Sequence, residues 1–334
     1  MKKYGYWIGL LLSLFFLILF FRKIDLVSIW NVFQSVEYLY LLPLVAINLF
    51  SVWVRAKRWE YLLAPVKKIK ISPLFYATAI GLMANNILPA RVGEFVRAYV
   101  LGSKEKISKT ASFATIVVER LFDGFTILLI FLVVIIMMPF PPDQSRVFTQ
   151  YHIKMAGFLS FFVYLIILGL LLALRYHNEK ANRLIGFFLK RLPQGLAHKI
   201  SKTIDSFVLG LEILQRTKDI WVIIGYSCFL WVVISLSFYL LFMAFHLNLP
   251  LLAAFFLLVV LAFGVSIPSA PGFIGTFHWA CAAALIFLGI EVNLAKSFSL
   301  LLWVVGFIPS ILLGLFSLGR EGMSMKQLQE TEKE

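Results

Sequence analysis

Long apolar runs separated by short polar connections set the plan of this chain. Residues 4–21 form the first run, behind Lys2 and Lys3. It exceeds the roughly 7–15 residues of a cleavable leader's apolar core, and no small-residue cleavage pattern follows, so a retained first helix is expected. Residues 22–38 read as a short loop with weak amphipathic character. A second helix is predicted over 39–59, ending in Arg55, Lys57 and Arg58, and Lys67, Lys68 and Lys70 make a basic connection. A third segment opens at Ser72 and Pro73 and reaches Pro89; a short helix resumes near Glu94 and runs to Leu101, ahead of Lys104, Lys106 and Lys109. These two arms measure about 24 Å and 12–15 Å, and the second is too short for a hydrocarbon core of about 30 Å. With lysines at both ends, the pair predicts a re-entrant hairpin whose tip is Pro89–Gly93. Non-helical backbone at that depth requires protein or a wet cavity around it.

A long helix is predicted from Ser108 to Met138, with Glu119, Arg120 and Asp123 in its first half, then a proline-bearing loop over 139–152 and a helix over 153–175. In the polar segment 176–219, Ile200, Ile204, Phe207, Val208, Leu211 and Leu214 share one helical face. Such a helix lies on the membrane or on the bundle, as a plain linker or as a headgroup-binding surface. Spans follow over 220–245 and 294–318. Between them the apolar run 251–267, nearly long enough to span at about 25 Å, is broken by Pro268–Thr276, and a helix resumes to about Gly289.

The expected fold is an all-α polytopic membrane protein: six spanning helices plus two broken or re-entrant helical hairpins arranged as an inverted repeat. The chain is read as one membrane domain, with repeats over 1–138 and 153–318, a cytoplasmic amphipathic linker over 176–219 and a cytoplasmic tail over 319–334. Interrupted segments in matching positions of two halves are the best sequence pointer to a transporter's central site.

Composition agrees with the membrane class: 61% hydrophobic, 14% charged and a mean hydropathy of +0.90, against roughly 25% charged for a soluble domain. The net charge of +14 sits mostly in connections, where it sets topology and meets anionic headgroups rather than nucleic acid. With the N-terminus inside, 24 lysines and arginines fall on the cytoplasmic side and five outside (Arg22, Lys23, Arg146, Lys154 and Lys296). That bias predicts a multi-pass protein of the inner, cytoplasmic membrane with both termini cytoplasmic. Cys228 and Cys281 lie alone in apolar runs, without metal spacing.

Charged groups inside a membrane segment default to a functional hypothesis. Arg91, Glu94, Arg97, Glu119, Arg120 and Asp123 form such a set, with three charges of each sign. They are expected either to pair internally, fixing hairpin to helix, or to offer arginine forks to a phosphate or carboxylate; the two roles are compatible. Asn85 and Asn86 are placed to cap backbone freed by Pro89 or to bind a headgroup. The second break carries no formal charge and offers Ser266, Ser269, Gly272, Gly275, Thr276 and His278. Its helix start suits an anion, and His278 is either a titrating group or a structural one. No nucleotide loop, zinc spacing or G-x-S-x-G is present, and no cofactor is expected. Glu94, Glu119 and Asp123 remain the acid–base candidates if the chain is an intramembrane enzyme.

Three motifs carry a family resemblance: N-N-I-L-P-A-R-V-G-E-F-V-R-A (Asn85–Ala98), V-V-E-R-L-F-D (Val117–Asp123) and S-I-P-S-A-P-G-F-I-G-T-F (Ser266–Phe277). In order and spacing the chain resembles the lysylphosphatidylglycerol synthase transmembrane, or flippase-like-domain, family. The resemblance implies a membrane unit that moves an aminoacylated lipid between leaflets. A separate C-terminal soluble domain, which these 334 residues do not contain, makes that lipid in the synthases, so the synthase reaction is not expected here. Relatives without that part are linked to export of glycolipid, polyprenyl-phosphate or hopanoid-type lipids. The second break reads S-A-P-G-F-I-G where the family often has S-P-G-G-I-G, so Phe273 is expected to narrow that tip. The expected function is a flippase or exporter of a phosphate-bearing lipid. Arg91, Arg97 and Arg120 would meet phosphate, and the carboxylates would balance them. The alternatives are an intramembrane lipid- or glycan-transfer enzyme, or a membrane partner of an aminoacyl-phosphatidylglycerol synthase. Expected partners are membrane lipids, a lipid-modifying synthase or glycosyltransferase, and a second copy of the chain, but no nucleic acid.

Overall fold

The computed structural model describes residues 2–22, 25–88, 92–138, 217–325 and 327, with scattered positions between 155 and 166. The helix predicted over 153–175 is therefore described only in part. The loop 139–152 and the amphipathic segment as far as 216 lie outside the described residues, as do Pro89, Ala90 and Arg91.

Every described element is helical: α1 (Lys2–Phe21), α2 (Leu26–Ser35), α3 (Leu41–Leu63), α4 (Ile71–Ile87), α5 (Gly93–Glu105), α6 (Lys109–Met137), α7 (Thr217–Ala244), α8 (Leu251–Gly264), α9 (Thr276–Phe287) and α10 (Val292–Arg320), with 3-10 turns at Tyr38–Tyr40 and Pro271–Phe273. Among the described residues four helical stretches are long and apolar enough to cross a membrane: Tyr38–Leu63, Lys109–Met137, Asp219–Ala244 and Val292–Arg320. Residues 26–35, read from sequence as part of a loop, form α2. Its cap explains the start: Asp25 accepts from the Val27 amide at 3.0 Å and from the Ser28 hydroxyl at 2.5 Å. Ile29, Val32 and Phe33 then fall on one face and pack inward, a stripe too short to stand out in a hydropathy profile.

The buried side chains form two main apolar cores at opposite ends of the bundle. One gathers Phe242, Phe256, Leu257, Leu285 and Phe298; the other gathers Trp59, Leu62, Leu74, Ile80, Leu101 and Val118. Polar contacts mark the two end faces. At one, Lys67 reaches Glu105 at 2.9 Å and Lys104 reaches Glu321 at 2.8 Å, joining the ends of α3, α5 and α10. At the other, Lys296 donates to the Arg22 carbonyl at 2.8 Å and the Glu37 amide to the Ala244 carbonyl at 3.0 Å, joining α1, the end of α7 and the start of α10.

Two helix pairs fold back on themselves between these faces. The hairpin α4–α5 has both ends at the lysine-rich face, and α8–α9 has both at the other. Their arms, about 26, 20, 21 and 18 Å by helical rise, are each shorter than a hydrocarbon core of about 30 Å. The α4–α5 crossing demands glycine on both sides: a Cβ on Gly93 would meet the Gly81 carbonyl at 2.1 Å, and one on Gly81 would meet Arg97 Cβ at 2.9 Å. α10 approaches α4 as tightly, with Gly314 against Met83 and the Ala79 carbonyl.

Candidate functional site

The polar centre of the bundle is built on the last third of α3, the start of α5 and the middle of α6, where helices dense in apolar residues place five charged side chains face to face. Arg58 of α3 is wholly buried and grips Asp123 of α6 with both guanidinium nitrogens, at 2.5 and 3.1 Å. The same guanidinium donates to Ser227 of α7 at 2.8 Å and reaches Glu119 at 3.0 Å. Glu119, also fully buried, receives Arg97 of α5 at 2.9 Å and Arg120 at 2.7 Å on the same oxygen. Arg120 extends to Asp123 at 3.3 Å, and the Trp231 indole donates to Asp123 at 3.1 Å. Arg97 lies 3.8 Å over the Trp59 ring, whose Nε1 is tied to Thr115 at 2.9 Å. Burying charges is tolerable only with such pairing, and removing one partner of a buried pair costs about 3–5 kcal/mol.

The pairing is not complete. Arg97 is nine-tenths buried, yet among the described residues its Nε and Nη2 and the Nε of Arg58 find no acceptor, and Glu119 Oε2 finds no hydrogen-bond donor. Beside them opens a cavity of about 400 Å³ lined by Arg55, Glu94, Arg97, Arg120 and Asp123 together with Asn85, Asn86 and Gly93. Ala262, Val265, Ser266 and Phe273 close it from the second hairpin. Both breaks therefore border one space. Counting the described ionisable groups, Arg55, Arg58, Arg97 and Arg120 stand against Glu94, Glu119 and Asp123, an excess of one positive charge.

The residues singled out in the sequence separate into distinct places. Glu94, Arg97, Arg120 and Asp123 line the cavity, and Glu119 sits behind them as the anchor of three arginines. Asn85 accepts from the Gly93 amide at 2.8 Å and so satisfies the restart of the helix, while Asn86 donates to Ser310 at 2.9 Å and also borders the cavity. Ser266 reaches the cavity with its hydroxyl bonded to the Ala262 carbonyl at 2.7 Å. Ser269, Gly272, Gly275, Thr276 and His278 do not line it. Gly272 and Gly275 turn the chain at φ of 70° and 95°. The Gly272 carbonyl accepts from Trp303 at 2.7 Å, and Thr276 donates to the Phe273 carbonyl at 3.2 Å. His278 is buried among Phe20, Phe277 and Trp303. Arg91 lies outside the described residues.

Arg58, Arg55, Trp231 and Ser227 are the site residues that sequence reading passes over. Arg55 and Arg58 stand at the end of a predicted helix and look like topological charges. The available signal was their three-residue spacing, which puts both on one face of an otherwise apolar helix. The balanced set of charges expected from the sequence becomes positive once they are included.

Comparison with known proteins gives a consistent result. A family model described as the lysylphosphatidylglycerol synthase TM region matches residues 6–314. A UPF0104 membrane protein of Methanothermobacter thermautotrophicus is 21% identical over 311 residues, covering 90% of each chain. Another from Methanocaldococcus jannaschii is 24% identical over 231 residues, covering 69% of this chain and 90% of its own. A second M. thermautotrophicus protein of the same description is 24% identical over 268 residues, covering 76% of this chain and 75% of its own.

Proposed function

The chain belongs to the lysylphosphatidylglycerol synthase transmembrane-region family, and on that premise we propose that it moves a lipid with a phosphate-bearing headgroup from one leaflet to the other. One observation carries the reading: a net-positive, arginine-lined cavity sits inside an apolar bundle at the point where two helix breaks meet. A guanidinium with unspent donors in a low-dielectric site is a ready partner for phosphate, because its planar fork matches two oxygens at once. Arg97 and Arg120 take the phosphate, with Arg55 and Arg91 as further cations. Glu119 and Asp123 hold the arginines in place between substrates, and the acyl chains stay in surrounding lipid.

The proposal includes the membrane arrangement. The hairpins α4–α5 and α8–α9 are re-entrant, from the cytoplasm and the exterior respectively, within an inverted repeat that has six spans and both termini cytoplasmic in the inner membrane. The lysine-rich face is then the cytoplasmic one. Phospho-, aminoacyl-phospho-, polyprenyl- and glyco-lipids share the required phosphate, and a lipid-modifying synthase or glycosyltransferase is the natural source of such a substrate.

The test is reconstitution into vesicles with headgroup-labelled anionic, aminoacylated and polyprenyl-phosphate lipids. Wild-type protein should accelerate exchange of at least one phosphate-bearing lipid between leaflets. Arg120→Ala, whose loss leaves Glu119 and Asp123 still paired to Arg58, should fold normally and lose that activity. No translocation by folded wild-type protein would sink the flippase reading, and product turnover in detergent would identify an enzyme instead.

A further inference from the structure

A second cationic cavity lies at the opposite end of the bundle from the lysine-rich face. Its volume is about 410 Å³, and it lies between Phe20 and Arg22 at the α1 end, Trp279, Ala283 and Ile286 of α9, and Val292 and Lys296 of α10. Lys296 is only 4% exposed. Its ammonium donates to the Arg22 carbonyl at 2.8 Å and stands 5.9 Å from the Phe20 ring. An ammonium has three donors, and a carbonyl uses one. Among the described residues no carboxylate comes within 4.0 Å of it. The nearest acid along the chain, Glu291, is turned to cap α10, accepting from the Leu294 amide at 2.9 Å. Glu291 attracts the ammonium from a distance without touching it; a buried cation with no carboxylate in contact is unfavourable, and here it faces a cavity that Arg22 also lines.

The walls point to the kind of anion. Apart from the two cations they are apolar; Trp279, Ile286 and Val292 are partly exposed, and Trp279 packs on Phe16 of α1, the helix that also exposes Leu14, Phe15 and Ile18. A site with cations at its polar end and an apolar wall running toward the hydrocarbon suits an amphiphile, and tryptophan near such a boundary is characteristic of membrane interfaces. We propose that this cavity is a binding site for the phosphate headgroup of an anionic lipid, held by Lys296 and Arg22, distinct from the arginine cavity at the hairpin tips.

The site is tested on the full-length protein in detergent by counting bound lipids with native mass spectrometry and by following thermal unfolding. Phosphatidylglycerol, phosphatidylcholine and inorganic phosphate are added in turn. Wild type should bind phosphatidylglycerol saturably. Lys296→Met should lower the number of tightly bound anionic lipids by one, or weaken that class at least tenfold, while Lys296→Arg retains it. Ala283→Phe, which fills the cavity and leaves both cations in place, should have the same effect as Lys296→Met and guards against a folding defect in that variant. Arg120→Ala should keep this site whatever it does to lipid exchange, which separates the inference from the transport reading. Unchanged phosphatidylglycerol binding in both Lys296→Met and Ala283→Phe would overturn the proposal. So would equal stabilisation by inorganic phosphate, or by phosphatidylcholine, since either removes the anionic lipid as the ligand.

Discussion

The two hairpin tips solve one problem by different means. Each stops a helix inside the bundle and so frees backbone groups that apolar surroundings cannot satisfy. At the first tip, side chains of α4 supply the partners: Asn85 takes the Gly93 amide, and Asn86 ties the turn to Ser310 of α10. At the second, neighbouring helices do it: Ser13 of α1 accepts from the Ala270 amide at 2.6 Å, and Trp303 of α10 caps the Gly272 carbonyl. The first tip then adds charge, because α3 and α6 bring Arg58, Glu119 and Asp123 to meet Arg97. The second adds none; its Phe273 and Val265 form a wall of the same cavity. A break needs hydrogen-bond partners, whereas a charged break also needs counter-charges from other helices. The chemistry is therefore concentrated on the side where three helices converge.

The largest expected effect tests that asymmetry directly. Asp123→Ala leaves Arg58 buried without its two-pronged partner and should lower stability by about 3–5 kcal/mol, read as loss of folded protein in denaturant titration. His278→Phe, at the neutral tip, should cost under about 1.5 kcal/mol, because it replaces one buried ring by another. Similar losses in both would mean that the charged network is not the keystone. Next come the glycines. Gly93→Ala and Gly275→Ala each force a Cβ onto backbone, the first at 2.1 Å from Gly81 and the second at 2.5 Å from Ser13. Each should cost about 1–3 kcal/mol, measured as a drop in unfolding temperature. If only one does so, that tip alone is closely packed.

Smaller effects separate the caps. Asn85→Ala orphans the Gly93 amide and should cost about 1–3 kcal/mol, against about 0.5–1.5 kcal/mol for Trp303→Phe, which loses one bond to a carbonyl. Hydrogen exchange at each tip is the appropriate readout, since the opening should be local to the tip whose cap is lost. Arg120→Ala should change stability least, by less than about 1 kcal/mol, because the side chain is 43% exposed to the cavity and both of its carboxylate partners keep another arginine. Lipid exchange in vesicles should nonetheless fall to background. A large stability loss there would recast Arg120 as a structural rather than a substrate-facing cation.

Much of the helical layout was legible along the chain. The first helix, the long helix after Ser108, the span before His246 and the final span begin and end within a few residues of their predicted bounds, because an apolar run and a proline or glycine are local signals. The short helix α2 escaped because three inward residues make a weak stripe. The candidate site was legible in halves. Glu119 and Asp123 share a face at four-residue spacing, and Arg97 stands out as a charge in an apolar stretch. The central Arg58 did not stand out, since a helix-end arginine beside Arg55 and Lys57 reads as a loop charge.

By itself the sequence determined the class of molecule, the places where helices run and where they break, and the residue types offered at each break. These follow from hydrophobicity, from the backbone limits of proline and glycine, and from the spacing of side chains along one helix. Only the tertiary structure decided which charges meet. Arg58 lies 65 residues from Asp123 and 169 from Ser227, and no local pattern encodes which helix faces will pack together over such distances. That packing added Arg55 and Arg58 to the charges read from the sequence, and the described members of the cluster carry one arginine in excess. It brought the second break to the same cavity through Ser266 and Phe273, and left His278 among aromatic rings outside it.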